Sequence, residues 1–272
     1  MNPATFQHEA MATTFQVLAA GQPADYLRQA AAAAFRELDR LEAELSRFRE
    51  GSDISRANRI AAGESIVIGE DAMRCLLAAA RISALTQRAF DPAYRSQRRD
   101  GAPPDAPVFA LDPPAHRLTS LVPRLHLDLG AVGKGYALDR MTAVLREWDV
   151  TAACLQAGGS TALALDPPAA EAGWPVRAGD RIRSLRAGAV SASGLAVQGE
   201  HIVDPRRGTT AERTRRVWSF AGSAADADAL STAFFVMPDV EVAGFCRRHP
   251  GCGAILTLPD GSYALHGSVP ES

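Results

Sequence analysis

Leu127-Asp128-Leu129-Gly130-Ala131-Val132-Gly133-Lys134-Gly135-Tyr136 sets three glycines and a lysine between an apolar run and an amphipathic one. Residues 125–129 predict a short strand. Behind the glycines, Ala137, Leu138, Met141, Val144, Leu145 and Trp148 recur at helical spacing. A strand therefore hands over to a helix across a glycine-rich turn. The first N–H groups of a helix lack partners within it and carry partial positive charge. A lysine there is locally unfavourable by about a few tenths of a kcal/mol. An anion bound at the turn removes the conflict, and glycines let the backbone approach it closely. The alternative is a tight turn with a solvated lysine. A P-loop is excluded: it needs GxxxxGK followed by Ser or Thr, whereas Asp128 holds the first glycine position and Gly135 follows Lys134.

Working outward, residues 13–19 read as an opening strand. A long helix is predicted over 24–49 from Leu27, Ala31, Phe35, Leu38, Leu41, Leu45 and Phe48. Residues 53–58 form a polar loop or short helix start, and a second amphipathic helix begins at an Asp71 cap. Five prolines between 95 and 114 mark a loop, the best candidate for an internal boundary. Strands follow at 151–157, 174–178, 183–191 and 217–221, helices at 228–237 and 240–249. A final hairpin pairs 254–258 with 262–266 around Pro259-Asp260-Gly261. Strands and helices mix irregularly, so the class is α+β: one globular domain over 1–272, with mixed sheets and packed helices.

The 272 residues are 47% hydrophobic, enough for a real core, and the formal net charge of −2 offers no footprint for nucleic acid. Cys75 and Cys154 lie in apolar runs and read as core thiols. Cys246 and Cys252 could pair, although nothing requires it, and no spacing suits zinc. No apolar run approaches the roughly 20 residues of a membrane span. The N-terminus lacks the basic and apolar regions of a signal peptide. As written, the chain is expected in the cytoplasm; a trimmed chain would belong to the periplasm.

Two further segments bear chemistry. In Ala225-Asp226-Ala227-Asp228-Ala229-Leu230-Ser231-Thr232, Asp228 and Thr232 are i and i+4 and share a helix face. A carboxylate and a hydroxyl so placed suit one hard cation such as magnesium. The competing reading makes Asp226 or Asp228 an N-cap. In Gly199-Glu200-His201-Ile202-Val203-Asp204-Pro205-Arg206-Arg207-Gly208, His201 is a candidate general base, a ligand contact or a structural residue. Ser191-Ala192-Ser193-Gly194 lacks the GxSxG elbow of a hydrolase.

The order of motifs is more specific than any one of them. Met11-Ala12-Thr13-Thr14-Phe15, Glu44-Leu45-Ser46-Arg47-Phe48, Ser52-Asp53-Ile54-Ser55-Arg56-Ala57-Asn58 and Ala89-Phe90-Asp91-Pro92 precede the glycine-rich turn. Gln156-Ala157-Gly158-Gly159-Ser160, the His201 segment and the Asp228 segment follow it. Together they resemble the ApbE family of FAD:protein FMN transferases across about residues 9–238. The resemblance implies FAD in a cleft, with Met11, Phe48, Ala89, Phe90, Asp91, Asp128, Lys134, His201 and Ile202 at flavin-contacting positions. It implies magnesium held by the Ala131 carbonyl, Asp228, Ser231 and Thr232. Catalysis would then fall to Lys134, Asp228 and His201. The FMN half would pass to a threonine or serine of an acceptor flavoprotein, with release of AMP. The sequence departs from the pattern at Ala12, usually Gly, at Arg95 to Arg99, and at Ser160, usually Asp. A magnesium-dependent FAD pyrophosphatase and a non-catalytic FAD-binding protein remain alternatives.

Overall fold

The computed structural model describes residues 3–98, 100–103, 105–169, 171–194, 203–210 and 216–271. The strands are β1 (Ala4–Ala10), β2 (Thr13–Ala19), β3 (Ser65–Val67), β4 (Phe109–Asp112), β5 (Arg117–Ser120), β6 (Ala153–Ala157), β7 (Thr161–Ala164), β8 (Trp174–Ala178), β9 (Arg181–Leu185), β10 (Gly188–Ser193), β11 (Val203–Asp204), β12 (Thr209–Thr210), β13 (Val217–Ala221), β14 (Gly253–Thr257) and β15 (Tyr263–Gly267). The helices are α1 (Ala24–Leu45), α2 (Asp53–Ala57), α3 (Glu70–Leu85), α4 (Gly133–Glu147), α5 (Ala224–Val236) and α6 (Asp239–Arg248).

Eight strands form one antiparallel sheet in the order β1-β2-β6-β7-β10-β13-β14-β15. Strand side chains alternate between faces, and here the two faces feed two cores. Leu155, Leu163, Ala189, Val217 and Ala221 enter the larger core, shared with α1, α3, α4 and α5. Cys154, Ala162, Ala164, Val190 and Phe220 enter a smaller one beneath the β8–β9 hairpin. The register places Thr161, Ser191, Ser193 and Ser219 on the helix-covered face, beneath α5. That helix is apolar almost all round and nearly wholly buried, as expected for a helix enclosed by others.

The α+β class stands, with several local corrections. Residues 125–129 form no strand. Instead the Asn58 side chain substitutes for a strand partner: its Nδ2 donates to the Leu127 carbonyl at 2.9 Å, and its Oδ1 accepts from the Leu127 N–H at 2.6 Å. Helix α1 stops at Leu45 because Ser46 turns extended, and Ser52 Oγ donates to the Ser46 carbonyl at 2.5 Å. Phe48, on the projected apolar stripe, is therefore 80% exposed. Asp71 does not cap α3, whose N-cap is Gly69. It is buried instead among Tyr136, Arg40 and Arg140. The predicted strand 183–191 divides into β9 and β10. Helix α5 begins four residues before Asp228, capped by Ser223, whose Oγ accepts from the Asp226 N–H. Neither aspartate is thus the N-cap. Strands β1, β3, β4 and β5 escaped the apolar pattern because they are short or half-exposed.

Cys75 and Cys154 are buried core thiols, and burial pushes Cys154 up to about 12. Cys246 and Cys252 are unpaired free thiols. Among the described residues no helix is long and apolar enough to cross a membrane.

Candidate active site

Asp228 is 5% exposed. A buried carboxylate is strongly unfavourable unless its oxygens are satisfied. Here they are. Oδ1 accepts from Ser191 Oγ at 3.2 Å and from Thr161 Oγ1 at 3.3 Å. Oδ2 accepts from the Gly135 N–H at 3.1 Å and lies 4.0 Å from the Lys134 ammonium. The two strand hydroxyls come from the helix-facing register positions, and the N–H comes from the first turn of α4. Ser231 extends the cluster: its Oγ donates to the Asp228 carbonyl at 2.8 Å and lies 2.8 Å from Ser193 Oγ. Thr232 is half-buried one turn beyond Asp228.

The glycine-rich turn completes the arrangement. Lys134 Nζ donates to the Gly130 carbonyl at 2.9 Å while facing Asp228. Gly130 donates its N–H to Asp128 Oδ1 at 2.9 Å, and Asp128 Oδ2 meets Arg47 Nε at 3.1 Å. The Arg47 guanidinium stacks over the exposed Phe48 ring at 4.1 Å. Asp128 also donates its N–H to the Pro92 carbonyl at 2.8 Å. Its neighbour Asp91 accepts from Ala93 N–H at 2.8 Å and is paired with Arg88. Asp128, Phe48 and Asp91 are therefore joined to Lys134 through Gly130, Arg47 and Pro92, and Lys134 is the link to Asp228.

Gly135 makes this convergence feasible. A Cβ there would collide with the Ala224 carbonyl oxygen, so only glycine lets α4 approach α5 so closely. Met11 is tied differently: its N–H donates to Glu42 Oε1 at 2.9 Å. Met11 and Ala12 both take positive φ, 49° and 57°. Ala89 and Phe90 are buried in the larger core. His201 and Ile202 lie outside the described residues.

The donor set suits a hard cation. A carbonyl from the 130–131 turn and the Asp228 carboxylate already converge on one positive charge, the Lys134 ammonium. Oxygen donors of this kind match magnesium better than softer metals. Among the described residues no three His, Cys, Asp or Glu side chains gather to hold a metal by themselves. A cation here would depend on backbone and hydroxyl oxygens beside the single carboxylate. Two clefts are lined by described residues. One of about 560 Å³ is lined by Asp139, Thr142, Arg146 and Ser223, and one of about 400 Å³ by Arg88, Asp91, Pro92 and Arg98.

The ApbE family model matches residues 11–256. The chain belongs to the ApbE family. Its fold matches an ApbE protein of Thermotoga maritima with a TM-score of 0.79 at 24% identity, covering 97% of both chains. It matches the flavin transferase ApbE of Vibrio cholerae with a TM-score of 0.81 at 20% identity, covering 98% of this chain and 97% of that one. A FAD:protein FMN transferase of Treponema pallidum (strain Nichols) is 30% identical over 161 residues, half of this chain. The match spans 44% of that curated relative's length.

The structure brings together two residues singled out from the sequence, Lys134 and Asp228, but the groups that hold them had no role in the sequence reading. Arg47 and Asn58 stood inside quoted motifs without a role. Ser191 stood in a segment read only as a failed hydrolase elbow. Thr161 heads an apolar strand, and its only signal is a hydroxyl where the sheet should bury a methyl.

Proposed function

We propose that this ApbE-family chain is a cation-dependent FAD:protein FMN transferase. The observation that carries the reading is the approach of Asp228 to Lys134, 4.0 Å apart though 94 residues separate them in sequence. The acceptor is a flavoprotein presenting a threonine or serine hydroxyl. That oxygen attacks the phosphorus attached to riboflavin, the pyrophosphate P–O bond breaks, and AMP leaves with the bridging oxygen.

In this reading the chain supplies placement and charge. Asp228, Ser231, Thr232 and the Ala131 carbonyl would hold the divalent cation. When bound, the cation neutralises charge developing on the pyrophosphate oxygens. Lys134 adds a second positive charge at the same place. Met11, Phe48, Ala89, Phe90, Asp91 and Asp128 would contact the flavin, Ala89 and Phe90 by backbone because their side chains are buried. His201 accepts the proton of the attacking hydroxyl. The exposed Phe48 ring, with Arg47 stacked on one face, offers the other face to an aromatic ligand.

The test combines the protein, FAD, magnesium and an acceptor domain carrying an Asp-Gly-x-Thr-type motif. Covalent flavin fluorescence on a denaturing gel, with stoichiometric AMP, is expected. Asp228→Asn should lower the labelling rate about 100-fold or more, on the scale of losing one preorganised charged group. AMP without labelling would move the assignment to a pyrophosphatase. Tight FAD binding with no AMP would leave a binding protein.

A further inference from the structure

We infer that Asp139 is a positioning residue: from α4 it grips the first turn of α5 and so sets the register that aims Asp228 at Lys134. The first N–H groups of a helix need partners from outside it. In α5 that accounting closes on two residues. Asp139 Oδ1 accepts from the Ala224 N–H at 2.8 Å and Oδ2 from the Ala225 N–H at 2.9 Å. Ser223 Oγ takes the Asp226 N–H at 3.2 Å. Gly135 and Asp139 are i and i+4 on α4 and share a face. Gly135 leaves no room for a Cβ beside the Ala224 carbonyl and donates to Asp228 Oδ2. Two points one turn apart on α4 thus hold two points about one turn apart on α5.

An ordinary cap does not need this residue. Serine, threonine or asparagine accepts from one N–H. Two adjacent N–H groups bound separately by two oxygens require a carboxylate, because an asparagine would turn a donor toward one of them. The carboxylate is retained against opposition. Burial pushes Asp139 up to about 6 despite the two N–H bonds, and the charges of Asp226 and Asp228 push the same way. Asp139 also lines the cleft of about 560 Å³, so its removal would open the first turn of α5 to water.

The inference rests on the reading of Asp228 as a cation ligand, and the test separates the two. Mn²⁺ is titrated into the full chain with saturating FAD and followed by water-proton relaxation. Asp139→Ala should weaken Mn²⁺ affinity about tenfold or more, the scale for groups that orient metal ligands. Asp139→Asn should weaken it less. In both, the Ala224 and Ala225 amide protons should exchange faster. Leu118→Ala, a core deletion in β5, should lower thermal stability and leave Mn²⁺ affinity alone; a purely stabilising Asp139 would behave likewise. Wild-type affinity in both Asp139 variants overturns the inference, and Asp139→Asn decides alone if the alanine variant does not fold. A wild-type chain that takes up no Mn²⁺ sinks the cation reading itself, and this inference with it.

Discussion

At the scale of single residues, backbone strain gathers at the turn between β1 and β2. Met11 and Ala12 both sit in the left-handed region, which a non-glycine L-residue occupies at a penalty of about 1–2 kcal/mol. Glycine at 12, the residue usual in the resemblance, would lose more backbone entropy on folding but avoid the Cβ clash. Ala12→Gly is therefore expected to stabilise the chain by about 0.5–1 kcal/mol. Thermal unfolding checks this: a lower midpoint in the variant would refute strain at Ala12. The same residue shows how far sequence reads. That position 12 departs from its pattern is visible in one letter. That the departure is tolerated with φ still positive, its neighbour tied to Glu42 through the Met11 N–H, depends on a contact 31 residues away. Lys134 was legible for a similar reason: a lysine in a helix's first turn contradicts a local rule. Thr161 was not, because a threonine in a strand contradicts nothing until the sheet register puts it against a buried aspartate.

At the scale of elements, the site exists because α4 and α5 nearly touch. Gly135→Ala would drive a methyl into the Ala224 carbonyl, where backbone cannot yield as a flexible side chain can. Overpacking of this kind costs about 1–3 kcal/mol. It should also separate Asp228 from Lys134, so cation affinity should fall further than the stability loss explains. Calorimetric titration with Mn²⁺ beside thermal unfolding tests this; equal cation affinity in the variant would show that the close approach serves packing alone. A second element-scale device joins α1, α3 and α4. Asp71 accepts from Tyr136 Oη at 2.6 Å and pairs with Arg40 and Arg140. Burial works to raise its pKa, but the Tyr136 hydroxyl and the Arg40 guanidinium prevail and hold it below the usual carboxylate value. A depressed folded pKa gives stability that is present above the unfolded value and lost as pH falls through the folded one. Asp71→Asn should thus cost about 2 kcal/mol near pH 7, less than for a fully buried pair because both arginines are half-exposed. The gap to wild type should close below about pH 4. A gap independent of pH would assign the loss to packing. Sequence placed these helices well, since apolar spacing records which face is buried. It misjudged Asp71 because an acidic residue at a helix start signals a cap as readily as an ion pair with arginines 31 and 69 positions distant.

At the scale of the whole molecule, the proline-rich stretch 95–114 suggested a boundary that the core does not respect. The larger hydrophobic cluster runs from Ala10 to Leu256, and β2, near the start of the chain, pairs with β6 across register partners such as Phe15 and Ala157. Neither half can bury its share of the sheet alone. One cooperative unfolding transition is therefore expected for the full chain, although proteins of this size often unfold through intermediates. The proposed cation and FAD positions draw on the 11–12 turn, the end of α1, the 128–134 turn and α5, all within that unit. A ligand that binds only the folded state stabilises it by about 2.7 kcal/mol at a hundredfold excess over its dissociation constant. For a chain of this length that raises the midpoint by about 5–10 °C. Differential scanning calorimetry should show a single peak moving up as a whole when FAD and magnesium are added together, and returning when the metal is chelated. Asp228→Asn should keep the single peak and lose the metal-dependent part of the shift. Two resolved peaks, only one of them moved by ligand, would restore the boundary at 95–114 and show that the site belongs to a part rather than the whole.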